Sequence, residues 1–308
     1  MRYGIPYQGS KNSIAREIVR FLPAAGTLID ICAGGCAITH AALELCDGIA
    51  PKWERIISND INPMPGKLFR DAIDGKYAHE TRWISREDFH RLKGSDPYVA
   101  YCWSFGNNAS NYLYAKEIEP WKRAVHYARV LGDREPLREF GIESDGSPAD
   151  IRAHEQEYKE KYIRWFMSKY TCTERFEKLE SSQIFDILDN LRRLDRLDNL
   201  RSLQRLPAIN RLKQTSLSYD CVEIPEYSVV YADIPYQNTE CRAYEGFDHQ
   251  AFFDWAARKR VPVFISSYQI DDPRFVCVWE REKRCLLQAV GGGALRTERI
   301  YTQRGASA

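Results

Sequence analysis

The chain has 308 residues, of which 44% are hydrophobic, so it is long enough to bury a sizeable core in one large domain or two modest ones. Its 44 Lys and Arg residues nearly balance 43 Asp and Glu residues, which confines any contact with a polyanion to a local patch. Nine cysteines without a CxxC pair argue against a disulfide framework and a structural zinc site, and no apolar run approaches the roughly 20 residues that span a bilayer. We therefore expect a soluble, cytoplasmic protein that has no metal site and no membrane partner.

The first 62 residues alternate between helical and strand periodicity. Residues 12–22 place apolar side chains on one helical face, and residues 27–31 form a short β-branched run bounded by glycines. Residues 37–46 are helical again, and residues 54–62 form a second strand that ends in polar residues. This order of strand, helix and strand predicts a parallel, doubly wound sheet.

A long, charged and mainly helix-like segment, residues 63–213, separates this region from further strands, and residues 141–147 within it are predicted to form a loop. The later predicted elements are strands at 227–233 and 261–268, a helix at about 249–260 between them, and a hairpin of 275–283 and 296–302. Together the elements predict one α/β domain, residues 1–62 and 214–308, whose doubly wound, Rossmann-like sheet is interrupted by a large helical insertion.

Within the insertion, leucine recurs at every third position from residue 188 to residue 206. An α-helix advances by roughly 300° in three residues, so this stripe would wind around a helix instead of staying on one face. A long 3₁₀ helix is disfavoured, since such helices rarely exceed about one turn. Two interpretations stay open, a helix that is buried on several sides and a short irregular repeat.

Polar or small residues follow the first two predicted strands, at the end of a sheet where α/β proteins bind ligands. Asp30 begins the first turn, and Gly34 and Gly35 within it allow a ligand to approach the backbone. Asp60 follows the second strand, where an acid can bind both hydroxyls of a ribose, although a helix N-cap is the plain alternative. No GxGxxG or GxxxxGK[ST] motif is present, which favours a nucleoside cofactor without phosphates, such as S-adenosylmethionine.

The third strand end, VVYADIPYQNT at residues 229–239, suits methyl transfer to an exocyclic amine of a nucleobase. The carboxylate of Asp233 and the carbonyl of Ile234 can accept the two N–H groups of such an amine and stabilise the charge that develops on its nitrogen. Pro235 restricts the backbone of Ile234, and Tyr236 offers a ring on which a flipped base can stack. A buried strand that simply ends in Asp and Pro is the alternative interpretation.

Several stretches also resemble motifs of one enzyme family. Residues 233–236, Asp-Ile-Pro-Tyr, resemble a DPPY tetrapeptide, residues 7–11 match an aromatic-x-Gly-Gly/Ser-Lys motif, and residues 32–36 align with an FxGxG loop. Asp60 falls at the position of an acidic ribose ligand, and Ser218-Tyr219 falls at that of an Asp-aromatic pair. In this order, with a long insertion before the tetrapeptide, the chain resembles the Dam-like, D12 class DNA adenine N6-methyltransferases, especially those of phages and mobile elements.

The resemblance implies a class I methyltransferase fold, S-adenosylmethionine as the cofactor, double-stranded DNA as the partner and residues 63–213 as the target-recognition region. The catalytic residues that it implies are Asp233, Ile234, Pro235 and Tyr236. The cofactor-binding residues that it implies are Tyr7, Gly9, Lys11, Asp30, Cys32, Gly34, Asp60, Ile61, Ser218, Tyr219 and Asp233. A restriction nuclease is a further partner of many such enzymes, but no feature of this sequence indicates one.

Contact with DNA is predicted for two parts of the insertion and for Lys11. Residues 192–213 carry seven basic and two acidic side chains, a local charge of +5 that can position the protein on phosphates. The predicted contacts there are Arg192, Arg193 and Arg196, and the predicted base-reading groups are Asn107, Asn108 and Tyr112. A solvated helix face and an ordinary polar loop are the alternatives.

The sequence therefore predicts a site-specific DNA adenine N6-methyltransferase that acts on a flipped-out base. Ile234, Cys32, Cys36 and Ser218 depart from the family motifs, which keeps open a catalytically degenerate DNA-binding or accessory protein built on the same fold. A methyltransferase for RNA bases or protein glutamine is the other alternative. The distance of about 200 residues between Cys32 and Asp233, and the acid in place of Asn, argue against it.

Overall fold

The computed structural model describes residues 3–141, 160–161, 164, 168, 194–236, 246–284 and 295–305. The chain divides into two compact units, Met1–Gly75 with Leu200–Ala308 and Lys76–Asn199. These boundaries differ from the predicted ones, because residues 63–75 and 200–213 belong to the first unit. The functional roles assigned to the two parts of the chain stay predictions.

Seven strands in the described part of the first unit form one sheet. The strands are β1 (Ala25–Asp30), β2 (Trp53–Asn59), β3 (Leu212–Thr215), β4 (Ser228–Ala232), β5 (Val263–Ser267), β6 (Phe275–Arg284) and β7 (Leu295–Gln303). Their order is β3-β2-β1-β4-β5-β7-β6, in which the first five run parallel and β7 runs antiparallel to both of its neighbours, β5 and β6. The predicted α/β sheet and its terminal hairpin are confirmed.

Four α-helices lie wholly in the described part of the first unit, and two of them begin at a capping residue. They are α1 (Ala15–Phe21), α2 (Ala37–Leu45), α3 (Pro63–Ile73) and, later in the chain, α8 (His249–Ala257). Asn62 caps α3 by accepting a hydrogen bond from the backbone N–H of Met64 at 3.0 Å, and proline follows at the first helical position. Asp248 caps α8 through the N–H of Ala251 at 2.9 Å. The apolar faces of strands and helices meet in a core that includes Ile29, Val230, Ile265, Phe252 and Trp255.

The leucine repeat combines two kinds of helix in the residues that the structure describes. Helix α7 (Leu194–Ser202) passes into one 3₁₀ turn at Leu203–Arg205. Leu197, Leu200, Leu203 and Leu206 are all buried. A 3₁₀ helix has 3.0 residues per turn, so the change of helix type keeps Leu203 and Leu206 in one direction. The leucines at 188 and 191 lie outside the described residues, as does most of the predicted loop at 141–147.

The second unit is mainly helical, as predicted, where the structure describes it. Its α-helices are α4 (Arg86–Leu92), α5 (Pro97–Cys102) and α6 (Glu119–His126), and α7 begins within it. Its core is rich in aromatic rings, with Trp83 stacked on Tyr114 at 5.6 Å between centroids and edge-on to Trp103 at 5.1 Å. Among the described residues of the chain, no helix combines the length and apolar character needed to cross a bilayer.

Candidate active site

Parallel strands bring three predicted motifs to one edge of the sheet. Asp30 ends β1, Asp60 follows β2 directly, and Asp233 follows β4 directly. The register places Asp30 beside Ser58 of β2 and Tyr231 of β4, so the three strand ends are aligned. Because β7 runs antiparallel to its neighbour β5, its first residues come to the same edge.

The turn after β1 is covered by the N-terminal segment of the chain. The N–H of Ile5 donates to the carbonyl of Gly35 at 2.8 Å, and the ring of Tyr7 lies against Gly34 and Gly35. A Cβ atom on Gly35 would lie 2.5 Å from the Cβ of Tyr7, and one on Gly34 would lie 2.9 Å from its Cε1. Both positions therefore require glycine, and the structure brings Tyr7 to the predicted cofactor turn.

Cys36, the last residue of this turn, has a left-handed backbone with φ of 58°. The resemblance to an FxGxG loop places a glycine at this position. Glycine adopts this conformation without a steric penalty, whereas a side chain costs about 1–2 kcal/mol. The departure from the motif therefore stores strain next to the site.

Asp30 is buried, with 1% of its surface exposed, and one of its oxygens has no hydrogen-bond partner among the residues that the structure describes. Oδ2 accepts hydrogen bonds from the N–H of Thr39 at 3.1 Å and from its hydroxyl at 2.7 Å, which caps α2. Oδ1 is the unpartnered oxygen. Burial raises the pKa of Asp30 to about 7, and the nearby charges of Asp233 and Asp60 act in the same direction.

Asp60 is held by the backbone of two loops. Its Oδ2 accepts from the N–H of Gly34 at 2.8 Å and its Oδ1 accepts from the N–H of Asn62 at 2.9 Å. Each oxygen keeps a second lone pair, which the predicted ribose contact would use. Burial raises the pKa of this carboxyl group as well. The next residue, Ile61, has 66% of its surface exposed and presents an apolar surface beside the carboxylate.

These residues fit a cationic nucleoside cofactor. Asp30 and Asp60 have no ion-pair partner among the described residues, and both carboxyl groups are strongly desolvated. A phosphate group would be repelled by this pair, whereas the sulfonium and ammonium groups of S-adenosylmethionine would be attracted. The unpartnered Oδ1 of Asp30 supplies an acceptor of the kind that an ammonium group requires.

Lys11 forms the centre of a second group of charges at this edge. Its Nζ lies 2.7 Å from Oδ1 of Asp233 and 3.5 Å from Oε1 of Glu298, and 4.7 Å from the ring centroid of Tyr236. Burial lowers the pKa of Lys11, but the two carboxylates outweigh that effect and hold it above its ordinary value. Lys11 is 6% exposed, so the structure does not support the predicted contact between Lys11 and DNA.

Tyr236 is fixed through its hydroxyl group and its ring. The hydroxyl donates to Oε1 of Glu298 and lies 3.1 Å from Oγ of Ser266, while the ring meets Tyr268 edge-on at 4.5 Å between centroids. The carbonyl of Pro235 accepts from Nε2 of His249 at 2.6 Å.

The side chain of Ile234, which replaces the first proline of the DPPY motif, is buried in the hydrophobic core. Its apolar packing gives a structural reason for this departure from the motif.

Glu298, Ser266 and His249 were not predicted as site residues. Glu298 falls in the buried phase of β7 with Ile300 and Thr302, where an acid is unusual. That single carboxylate in an alternating strand is the signal in the sequence that could have identified it. Ser266 and His249 carry no comparable signal, because both become part of the site only through strand pairing and a loop contact.

Other predicted cofactor residues have mixed surroundings. Gly9 has φ of 80°, a conformation that favours glycine. The hydroxyl of Ser218 donates to Asp220, and Tyr219 packs edge-on against Phe252 at 4.9 Å. Ser218 and Tyr219 also follow β3 after an interval of two residues instead of ending a strand. Their predicted contact with the cofactor, like that of the half-buried Cys32, stays a prediction.

The predicted DNA contacts of the second unit are largely engaged within that unit. Tyr112 is 5% exposed and its hydroxyl donates to the carbonyl of Ile84 at 2.7 Å, which argues against base reading by this residue. The amide of Asn107 donates to the carbonyl of Tyr101, and Oδ1 of Asn108 accepts from the N–H of Ser110. The guanidinium of Arg196 donates to the carbonyls of Cys102 and Ser104 at 2.6 and 3.2 Å. Arg192 and Arg193 lie outside the described residues.

The comparison with known families agrees with this geometry. The sequence model of the D12 class N6 adenine-specific DNA methyltransferase family matches residues 7–261, which include Asp30, Asp60 and Asp233 and end before Glu298. No curated protein matches the chain. The match covers most of the 308 residues and favours the DNA adenine activity over the alternatives of an accessory protein or an RNA or glutamine methyltransferase. The chain belongs to the D12 class N6 adenine-specific DNA methyltransferases and methylates adenine in DNA with S-adenosylmethionine as the methyl donor.

Proposed function

We propose that the chain methylates N6 of an adenine that is flipped out of double-stranded DNA at a specific sequence, with Asp233, Ile234, Pro235 and Tyr236 as the catalytic segment. Asp233 and the carbonyl of Ile234 accept the two N–H groups of the adenine amine. These hydrogen bonds draw the N–H groups out of the plane of the base, which favours an attacking lone pair on the nitrogen. They also stabilise the positive charge that develops on that nitrogen. The ring of Tyr236 stacks on the base and compensates for the stacking that the base loses in the duplex.

The cofactor side of the proposed site uses the two desolvated acids. S-adenosylmethionine supplies a methyl group bound to a positively charged sulfur. Asp60 would accept hydrogen bonds from the ribose, Asp30 would bind the cationic end, and Tyr7, Gly9 and Gly34 would form the surface around the cofactor. Direct displacement requires alignment of sulfur, methyl and nitrogen, so positioning of both ligands provides much of the rate.

The observation that carries the proposal is the convergence of Lys11, Asp233 and Tyr236 beside the Asp30–Asp60 edge. Asp233 lies close enough to Asp30 for its negative charge to raise the pKa of Asp30. A site for the amine and a site for the cofactor would then be neighbours, as a single-step transfer requires.

Asp233→Ala tests the catalytic assignment. We expect the variant to bind S-adenosylmethionine and to lose methyl transfer by roughly 10²–10⁴-fold, the range for removal of a group that acts on the reacting proton or charge. The measurement is incorporation of labelled methyl groups into methylation-free genomic DNA, with digestion to nucleosides to identify N6-methyladenine. The exposed Asp47→Ala is the matched control. Near-normal turnover in Asp233→Ala would remove Asp233 from the mechanism.

Target recognition is assigned in this proposal to Asn107 and Asn108 of the second unit and to the basic residues within 192–213, a stretch that begins in the second unit and continues into the first. The exposed Phe105, which stands in the same loop as the two asparagines, adds an apolar group to that surface. Such methylation would act in the cytoplasm of a bacterial or phage-infected cell and would protect DNA from a restriction nuclease that reads the same sequence.

A further inference from the structure

Strand β7 places a carboxylate against the proposed catalytic segment. Glu298 is 3% exposed and lies next to Arg299, which pairs with Ser267 at the end of β5. The antiparallel direction of β7 therefore carries Glu298 to the edge of the sheet where Asp233 follows β4. No motif of the chain assigns a role to this residue.

One oxygen of Glu298 receives three donors. Oε1 accepts from the hydroxyls of Tyr236 and Ser266, the latter at 3.0 Å, and lies 3.5 Å from the ammonium of Lys11. A buried carboxylate is strongly unfavourable unless it is paired and hydrogen-bonded, and these three donors offset the loss of its hydration. Burial nevertheless raises the pKa of Glu298 to about 7.

Lys11 and the target amine compete for Asp233. The ammonium lies 2.7 Å from Oδ1 of Asp233, so an amine that binds this oxygen has to share it with Lys11. If the ammonium lost this partner without another, it would be a buried, unpaired charge, which is strongly unfavourable. Glu298 lies 0.8 Å further from the same ammonium than Asp233 does, the difference between 3.5 and 2.7 Å. A small rotation of the Lys11 side chain would thus exchange one carboxylate for the other.

We propose that Glu298 is a positioning residue for methyl transfer, which accepts the Lys11 ammonium when the adenine amine binds Asp233 and holds the Tyr236 ring in place through its hydroxyl. The inference rests on the proposed role of Asp233. Glu298 acts through Lys11 and Tyr236, so its loss affects the rate of the chemical step more than the binding of either ligand.

Several titratable groups surround Glu298 and determine its charge. Lys11 approaches from the N-terminal segment, and Tyr268 lies at the end of β5. Strand β4 and the residues after it contribute Tyr231, Asp233 and Tyr236. On β6, Arg281 lies opposite Glu298 and forms an ion pair with Glu17. Lys11 favours the ionised form of Glu298, whereas Asp233 disfavours it. We therefore expect ionisation of Glu298 at neutral pH to depend on the position of Lys11.

Glu298→Gln tests the inference because glutamine keeps the volume and the acceptor oxygen but removes the charge. At saturating S-adenosylmethionine we expect single-turnover methyl transfer to methylation-free genomic DNA to fall roughly 10- to 100-fold, the scale of a mispositioned reacting group. The Kd values for S-adenosylmethionine and for DNA should change by less than about 3-fold, since the proposed role of Glu298 acts through Lys11 and Tyr236. The wild-type rate should rise with pH through about 7, as Glu298 ionises, and the variant should lack this rise.

The controls separate this inference from the proposed function. Exposed Glu282→Gln on β6 should match the wild type in rate and pH profile. In an Asp233→Ala background, Glu298→Gln should add little further loss, because the exchange of Lys11 partners no longer exists. Normal turnover of Asp233→Ala would contradict the proposed function. A normal rate and pH profile of Glu298→Gln, beside an impaired Asp233→Ala, would overturn this inference alone.

Loss of cofactor binding in Glu298→Gln would contradict the expectation that this variant lowers the rate and leaves the Kd values nearly unchanged. In that case Glu298→Asp decides between positioning and folding, because it keeps the charge and withdraws it by one methylene. We expect Glu298→Asp to bind S-adenosylmethionine and to transfer methyl groups more slowly than the wild type. A wild-type rate in Glu298→Asp would overturn the proposed positioning role.

Discussion

The two groups of carboxylates at the sheet edge differ in their counter-charge. Asp30 and Asp60 are buried and have backbone or hydroxyl donors, but they have no cation among the described residues. Asp233 and Glu298 share the ammonium of Lys11. A buried acid without a cation favours a cationic ligand, whereas an acid with its own cation favours a neutral one. The difference supports the proposed binding of the methyl donor at the first group and of the neutral adenine at the second.

We expect the largest effect from Lys11→Met, because it removes the cation of the second group. We expect unfolding free energy to fall by about 3 kcal/mol, since two partly or fully buried carboxylates then lack their partner. Methyl transfer should be lost together with the fixed geometry of Tyr236. Urea denaturation of the cofactor-free protein measures the first effect. The exposed pair of Lys67 with Asp71 provides the control, and Lys67→Met should cost less than about 1 kcal/mol.

Asp30→Asn tests the first group through the pH dependence of stability and of the affinity for S-adenosylmethionine. The folded pKa of Asp30, about 7, lies above the value of an unfolded aspartate, so the folded chain binds a proton that the unfolded chain has released. The stability of the cofactor-free protein should therefore fall as pH rises from about 4 to about 7, and Asp30→Asn should weaken this slope. Binding of a cation favours the ionised acid, so affinity for S-adenosylmethionine should rise with pH through about 7.

Calorimetric titration of S-adenosylmethionine at several pH values, in buffers that differ in ionisation enthalpy, measures both the affinity and the protons released. The wild type should release protons near pH 6, whereas Asp30→Asn should release fewer. Asparagine can still accept the N–H of Thr39, so the cap of α2 is retained. Equal proton release by both proteins would show that Asp30 does not face the cofactor.

The smallest effect is expected at Cys36, beside the first group. Cys36→Gly and Cys36→Ala both remove the buried sulfur, and they differ only in the Cβ atom at a left-handed position. Cys36→Gly should be more stable than Cys36→Ala by about 1 kcal/mol. Chemical denaturation of the two variants measures the difference. If Cys36→Ala were the more stable, the strain inferred from the positive φ would not exist.

The sequence predicted the elements whose pattern is local. The strands that end at Asp30 and shortly before Asp60 and Asp233 are short β-branched runs, and their order determines which ends meet. Strand β3 was missed because its four residues, Leu212–Thr215, have no apolar alternation. It lies at the edge of the sheet, where pairing with β2 and not burial determines the strand.

The site was predicted less completely than the fold. Lys11 was expected near the cofactor or DNA, and its ion pair with Asp233 depends on how the N-terminal segment crosses the sheet edge. Tyr112 was expected to read bases, but folding of the second unit buries its ring and engages its hydroxyl. A polar side chain in a loop sequence has the same appearance whether it binds DNA or satisfies the loop itself.

Methylome sequencing of a methylation-free host tests the central claim most directly, because it reports the base, the atom and the sequence together. The host should express either the wild-type chain or Asp233→Ala at equal levels. We expect N6-methyladenine within one recurring sequence for the wild type and its near absence for the variant. Methylation at equal levels in both, or methyl groups on another base, would contradict the assignment of Asp233 to adenine N6 transfer.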